Sequence, residues 1–156
     1  CPLAYIYADS VKCFSLSFMA DKMPSLFTWT VRVYYEDTDA GGIVFYANYL
    51  KFFERARTEW LRAAGVDQQK LIEREGAAFV VKSASIDYHA PARLDDEITL
   101  TLGIEKLGRA SVQFVQKAFK GDLLLVEASV KVGCVDLASV RPRSLPEDVA
   151  DKMRAA

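Results

Sequence analysis

The chain has 156 residues, 51% hydrophobic and 26% charged, which suits one globular domain with a single core. Its 20 basic and 21 acidic residues leave a net charge of −1, which excludes bulk electrostatic capture of a nucleic-acid backbone. Any anionic ligand must therefore be met by local basic groups.

Residues 1–26 read as an N-terminal extension of uncertain role, and 27–156 as the domain proper. The chain begins with Cys1, and Met19 and Met23 stand as alternative starts. The apolar stretch 13–20 has no cluster of Lys or Arg before it and no small-x-small cleavage site after it, so a secretory signal is not expected. Cys1, Cys13 and Cys134 are odd in number and lack CxxC spacing, and His89 is the single histidine. That set is too poor for a structural zinc site and points to free thiols in a reducing, cytoplasmic setting, with no metal or cofactor. No apolar run reaches the length of a membrane-spanning helix.

In chain order, 27–36 alternates Phe27, Trp29, Val31, Val33 and Tyr35 with polar neighbours, the period of a half-buried strand that ends at Asp37. Acidic residues, Thr38 and Gly41-Gly42 follow as a turn. Over 46–65 the period becomes helical, with Tyr49, Phe52, Phe53, Ala56, Trp60 and Ala64 on one stripe and Gly65 as the stop. Such a helix is about 25 Å long, and its aromatic stripe needs a sheet to cover it. A short helix is expected at 67–75, then strands at 78–88, 97–106, 110–120 and 123–135. The breaks at Leu107-Gly108 and Gly121-Asp122 make the last three an antiparallel meander. Pro146, Glu147 and Asp148 start a last short helix. One strand, one long helix and four strands predict an α+β domain with the helix on one face of an antiparallel sheet.

The strand, acidic glycine turn and helix together place carboxylates beside a helix N-terminus, where unpaired N–H groups favour negative charge. That arrangement suits acyl transfer: an N–H near Phe45 or Tyr46 polarises a carbonyl while a carboxylate attacks or activates water. On chemistry alone Asp37 and Asp39 are equal candidates, and both are equally suited to capping the turn and the helix.

The segment EDTDAGGIVFYANYLKFFERAR resembles the signature of the 4-hydroxybenzoyl-CoA thioesterase family, most closely its Tol-Pal-associated, YbgC-like branch, with similarity over about 28–146. The resemblance implies a hotdog fold, a long helix wrapped by a five-stranded antiparallel sheet. It also implies acyl-CoA thioester hydrolysis and a homodimer or homotetramer with sites between subunits. It selects Asp39, the second acidic residue of the segment, as nucleophile or general base, and the N–H of Tyr46 as the carbonyl's partner. Implied substrate contacts are Gly42, Val44, Asn48, Lys82, Arg109, Ser111 and Arg141, with Arg143 a further basic candidate. Many members of the branch carry His at the position of Tyr46, so a His-assisted mechanism does not transfer. The Tyr46 ring is expected to pack rather than orient substrate. Glu54 and Arg57 are expected to pair along the helix, and His89 is given no catalytic part. A rival reading is a binding module for acyl carrier protein, phospholipid-synthesis enzymes or the Tol-Pal system. A hydratase would need a catalytic His placed elsewhere.

Overall fold

The computed structural model describes residues 26–156, so the extension expected at 1–26 lies outside the described residues except for Leu26. The strands are β1 (Phe27–Arg32), β2 (Ala77–Tyr88), β3 (Glu97–Leu107), β4 (Ser111–Lys120), β5 (Leu123–Asp136) and the short β6 (Arg141–Pro142). The α-helices are α1 (Asn48–Ala63), α2 (Gln68–Glu75) and α3 (Glu147–Ala155). The sheet runs β1-β3-β4-β5-β2, antiparallel throughout, and β6 adds to β5 at Val135 and Asp136. The expected meander is present as β3-β4-β5.

Register shifts at Val81/Ser83, Ile104/Lys106 and Ala118/Phe119 bend three of the strands. An extra residue in one strand raises the local twist, which curls the sheet toward the helix. On that side α1 contributes Tyr49, Phe52, Phe53, Ala56, Trp60 and Leu61, which share one core with Ile98, Leu100, Val112, Phe114, Val126 and Val130 of the strands. Phe52 and Phe53 are wholly buried. Ala64, expected on the stripe, is only half-buried, and Leu61 takes its place in the core.

Three local features follow the sequence closely. Asp67 accepts from the Lys70 N–H and caps α2, and Gly76 ends that helix with φ of 61°. Gly65, after α1, has φ of 87°. The alternation of β4 is regular along its whole length, buried at every second residue from Val112 to Ala118.

The first strand departs from expectation. It stops at Arg32, and only Val33 extends the pairing, donating its N–H to Asp96 O at 2.9 Å. Beyond it the Tyr34 N–H donates to the Asp37 carboxylate at 2.9 Å and the Asp37 N–H to Tyr34 O at 3.0 Å, winding Tyr35–Asp37 into one 3₁₀ turn. A carboxylate that captures the backbone three residues back ends extended structure. Tyr35 is consequently 83% exposed, and Trp29 is 40% exposed on the outer strand. At the opposite edge, β2 has no strand beyond it among the described residues and exposes Val80, Val81 and Tyr88.

Candidate active site

The loop between the 3₁₀ turn and α1 is a tight hairpin in which Thr38 bridges Val44. The Asp39 N–H donates to Ile43 O at 2.9 Å, and the Gly42 N–H to Asp39 O at 3.0 Å. The Gly41 N–H donates to Asp39 Oδ1 at 2.8 Å. Gly42 has φ of +75°, the left-handed conformation that favours glycine, and a Cβ on Gly41 would crowd the Asp39 carboxylate at 3.1 Å from Oδ1. The loop is fastened to the segment between β2 and β3 by Ile43 bridging Arg93 and by the Val44 N–H donating to Ala92 O at 2.9 Å.

These contacts separate the two aspartates. Asp37 is 6% exposed; its carboxylate holds the Tyr34 N–H, and its carbonyl accepts from the Phe45 N–H at 2.9 Å and Asn48 Nδ2 at 2.8 Å. Asp39 is exposed, and among the described residues only its Oδ1 is engaged, by its own loop. Asp37 builds the loop, and Asp39 has an oxygen free for chemistry. Replacing Asp37 with Ala is expected to cost about 1–3 kcal/mol by orphaning the Tyr34 N–H, read as a lowered urea midpoint. An unchanged midpoint would refute this structural part.

Helix α1 starts without a side-chain cap at Ala47. The Asn48 N–H is taken by Phe45 O at 2.9 Å and that of Leu50 by Ala47 O at 3.2 Å, whereas no acceptor among the described residues takes the N–H groups of Tyr46 and Ala47. Two donors, assisted by the helix dipole, thus stand next to the Asp39 loop in sequence and in space. The Tyr46 ring lies at the surface. It is 63% exposed and meets only surface rings, Phe45 at 4.7 Å and Tyr88 at 6.3 Å between centroids. Tyr88 was not singled out from the sequence, yet its hydroxyl donates to Tyr46 O at 2.8 Å. Burial, with the neighbouring Tyr46 phenol, raises the Tyr88 pKa, so the hydroxyl keeps its proton and its role as donor. Burial also pushes the Tyr49 phenol up to about 12, which removes it as a general base near neutral pH.

The other expected contacts fall in two places. Val44 and Asn48 are buried parts of the loop and helix start, and Gly42 is the turn itself. Lys82 and Ser111 meet at Gly133 of β5. The Lys82 side chain lies across that glycine, where a Cβ would come within 2.3 Å of Lys82 Cε, and Ser111 is its partner in register. Arg109, in the β3–β4 turn, donates from Nε to Ser144 Oγ at 3.1 Å. Arg141 pairs in register with Asp136 and is exposed. Arg143 is turned away, donating to Glu75 O at 2.6 Å. Along β2 the step from Lys82 to Tyr88 covers about 20 Å, so within one chain the basic group and the Asp39 loop stand well apart.

Glu54 and Arg57 do not pair as expected. Arg57 Nη1 donates to Gln116 Oε1 at 2.9 Å, and Gln116, wholly buried, donates to Phe53 O at 3.0 Å. Burial pulls the Arg57 guanidinium below its ordinary pKa, an effect that the nearby Glu54 opposes. Glu54 Oε1 accepts from the Thr58 hydroxyl at 2.6 Å. His89 lies on the surface 3.8 Å from Glu127 Oε2, away from the loop.

The sequence pattern of the Thioesterase-like superfamily matches residues 33–153. The acyl-CoA thioesterase YbgC of Haemophilus influenzae is 48% identical over 123 residues, 79% of this chain and 90% of that protein. The acyl-CoA thioester hydrolase YbgC of Escherichia coli is 46% identical over 131 residues, 83% of this chain and 97% of that protein. Among solved structures, a probable thioesterase from Bartonella henselae superposes with a TM-score of 0.75 at 35% identity, over 78% of this chain and all 100% of that one. A 1,4-dihydroxy-2-naphthoyl-CoA thioesterase from Synechocystis superposes with a TM-score of 0.77 at 25% identity, over 83% and 96%.

Proposed function

The chain belongs to the Thioesterase-like superfamily, and from that premise we propose that it hydrolyses the thioester of acyl-CoA to a free acid and CoA. The protein is an acyl-CoA thioesterase of hotdog fold. The observation that supports the reading is the exposed Asp39 carboxylate in the hairpin that leads into α1, whose start carries Tyr46 and Ala47 N–H groups with no acceptor among the described residues. In this scheme the thioester oxygen lies on those two donors, which stabilise the charge that develops as the carbonyl is attacked. Asp39 either attacks the carbonyl carbon itself or takes a proton from the attacking water. When Asp39 acts as base, the new C–O bond from water replaces the C–S bond, and the proton taken from that water passes to the departing CoA sulfur. When it attacks, a mixed anhydride replaces the thioester, and the CoA thiolate leaves and takes a proton from solvent; water then cleaves the anhydride to the free acid and restores the carboxylate.

Two subunits complete the site in this proposal. The open β2 edge offers unpaired backbone groups to a second copy. Pairing there allows Lys82, Arg109, Ser111 and Arg141 of one subunit to meet the CoA whose acyl group lies at Asp39 of the other. Phe45, Tyr46 and Tyr88, all exposed near the loop, suit a short or aromatic acyl group. The proposed setting is the cytoplasm, with acyl carrier protein as an alternative carrier of the thioester.

The deciding experiment follows free-thiol release from short, long and aromatic acyl-CoAs. Turnover of short or aromatic members ahead of long ones is expected. Failure to hydrolyse any member overturns the reading in favour of a binding module.

A further inference from the structure

We infer that Tyr88 is a positioning residue, which holds the backbone donors at the start of α1 in the orientation that receives the thioester oxygen; this rests on the hydrolase reading above. The Tyr46 carbonyl lies outside the helical ladder. The Leu50 N–H, which a regular α-helix directs to the carbonyl four residues back, goes to Ala47 O at 3.2 Å instead. The hydroxyl of Tyr88 takes its place at Tyr46 O, at 2.8 Å, from a residue 42 positions away.

A trans peptide is planar, and its C=O and N–H point in opposite directions. Fixing the oxygen of the Tyr46–Ala47 unit therefore fixes the direction of the Ala47 N–H and restrains the adjoining Tyr46 N–H. A carbonyl that accepts a hydrogen bond also makes its own N–H a better donor. The hydroxyl is itself well anchored. Tyr88 is the last residue of β2, in register with Val126 of β5, and its ring meets Tyr46 at 6.3 Å and Tyr49 at 5.9 Å between centroids. The sheet thus reaches the helix start through this side chain, and among the described residues the Tyr88 hydroxyl is the hydrogen-bond donor to the Tyr46 carbonyl.

An oxyanion donor stabilises the transition state more than the bound substrate, so loosening its direction lowers kcat and leaves the binding of CoA nearly untouched. The test is steady-state kinetics of Tyr88→Phe on the acyl-CoA that the wild type turns over fastest, with the thermal midpoint recorded alongside. Phe keeps the ring contacts and removes only the hydroxyl. The expected result is a fall in kcat of about tenfold, with KM changed by less than about twofold and the midpoint nearly unchanged. Wild-type kcat in the variant overturns the inference, and so does a raised KM at unchanged kcat, which would make Tyr88 a binding contact. An inactive wild type overturns the hydrolase reading and takes this inference with it.

Discussion

Asp39→Asn is expected to lower kcat for thioester hydrolysis by about 10²–10⁴-fold while leaving the fold intact. The physical reason lies in how the side chain is used. Oδ1 accepts the Gly41 N–H at 2.8 Å, a bond that the Asn carbonyl oxygen can keep, so the loop retains its shape. The amide nitrogen that replaces the free oxygen is neither a nucleophile nor a base at neutral pH. Stability should therefore stay within about 0.5 kcal/mol of wild type, since no buried group is orphaned. The measurement pairs initial rates of thiol release with a denaturation midpoint on the same preparation. A variant that retains the wild-type rate removes Asp39 from the mechanism, and the uncapped start of α1 would then need another carboxylate.

Phe52→Ala is expected to destabilise the protein by about 3–5 kcal/mol, against a total that for domains of this size is typically about 5–15 kcal/mol. Phe52 is wholly buried between α1 and the sheet, stacks edge-on to Tyr49 at 5.8 Å, and lies under the Arg55 guanidinium at 5.7 Å. Truncation removes the apolar contacts of the ring and leaves a cavity that the rigid sheet cannot close. The loss also reaches the site, because Tyr49 links Phe52 to Tyr88. Urea unfolding followed by circular dichroism gives the number. A cost below about 1 kcal/mol would mean that α1 does not lean on the sheet through this side chain.

Asp37 and Asp39 show how far the sequence was legible. They are two residues apart in one glycine turn and carry the same group, so no local pattern distinguishes them; the family resemblance selected Asp39, while burial and hydrogen bonding show that Asp37 is already engaged. The same turn explains the error in β1. Alternation from Phe27 onward cannot reveal that the Asp37 carboxylate will draw the chain back to Tyr34 and end the strand. Arg57 likewise stands three residues after Glu54, the spacing of a helical ion pair, yet the buried Gln116 of β4 claims it.

By itself the sequence determined the order of the main elements, the meander, the helical stripe from Tyr49 to Trp60 and the stop at Gly65. All of these rest on periodicity or on backbone geometry within a few residues, where a side chain's own chemistry decides. Only the tertiary structure decided that the Asp37 carboxylate is engaged by the Tyr34 N–H, that Tyr88 reaches Tyr46, and that the Lys82 side chain lies over Gly133 opposite Ser111. The last two arrangements depend on contacts between residues far apart in the chain, and such contacts form only once the sheet has set its register and curvature.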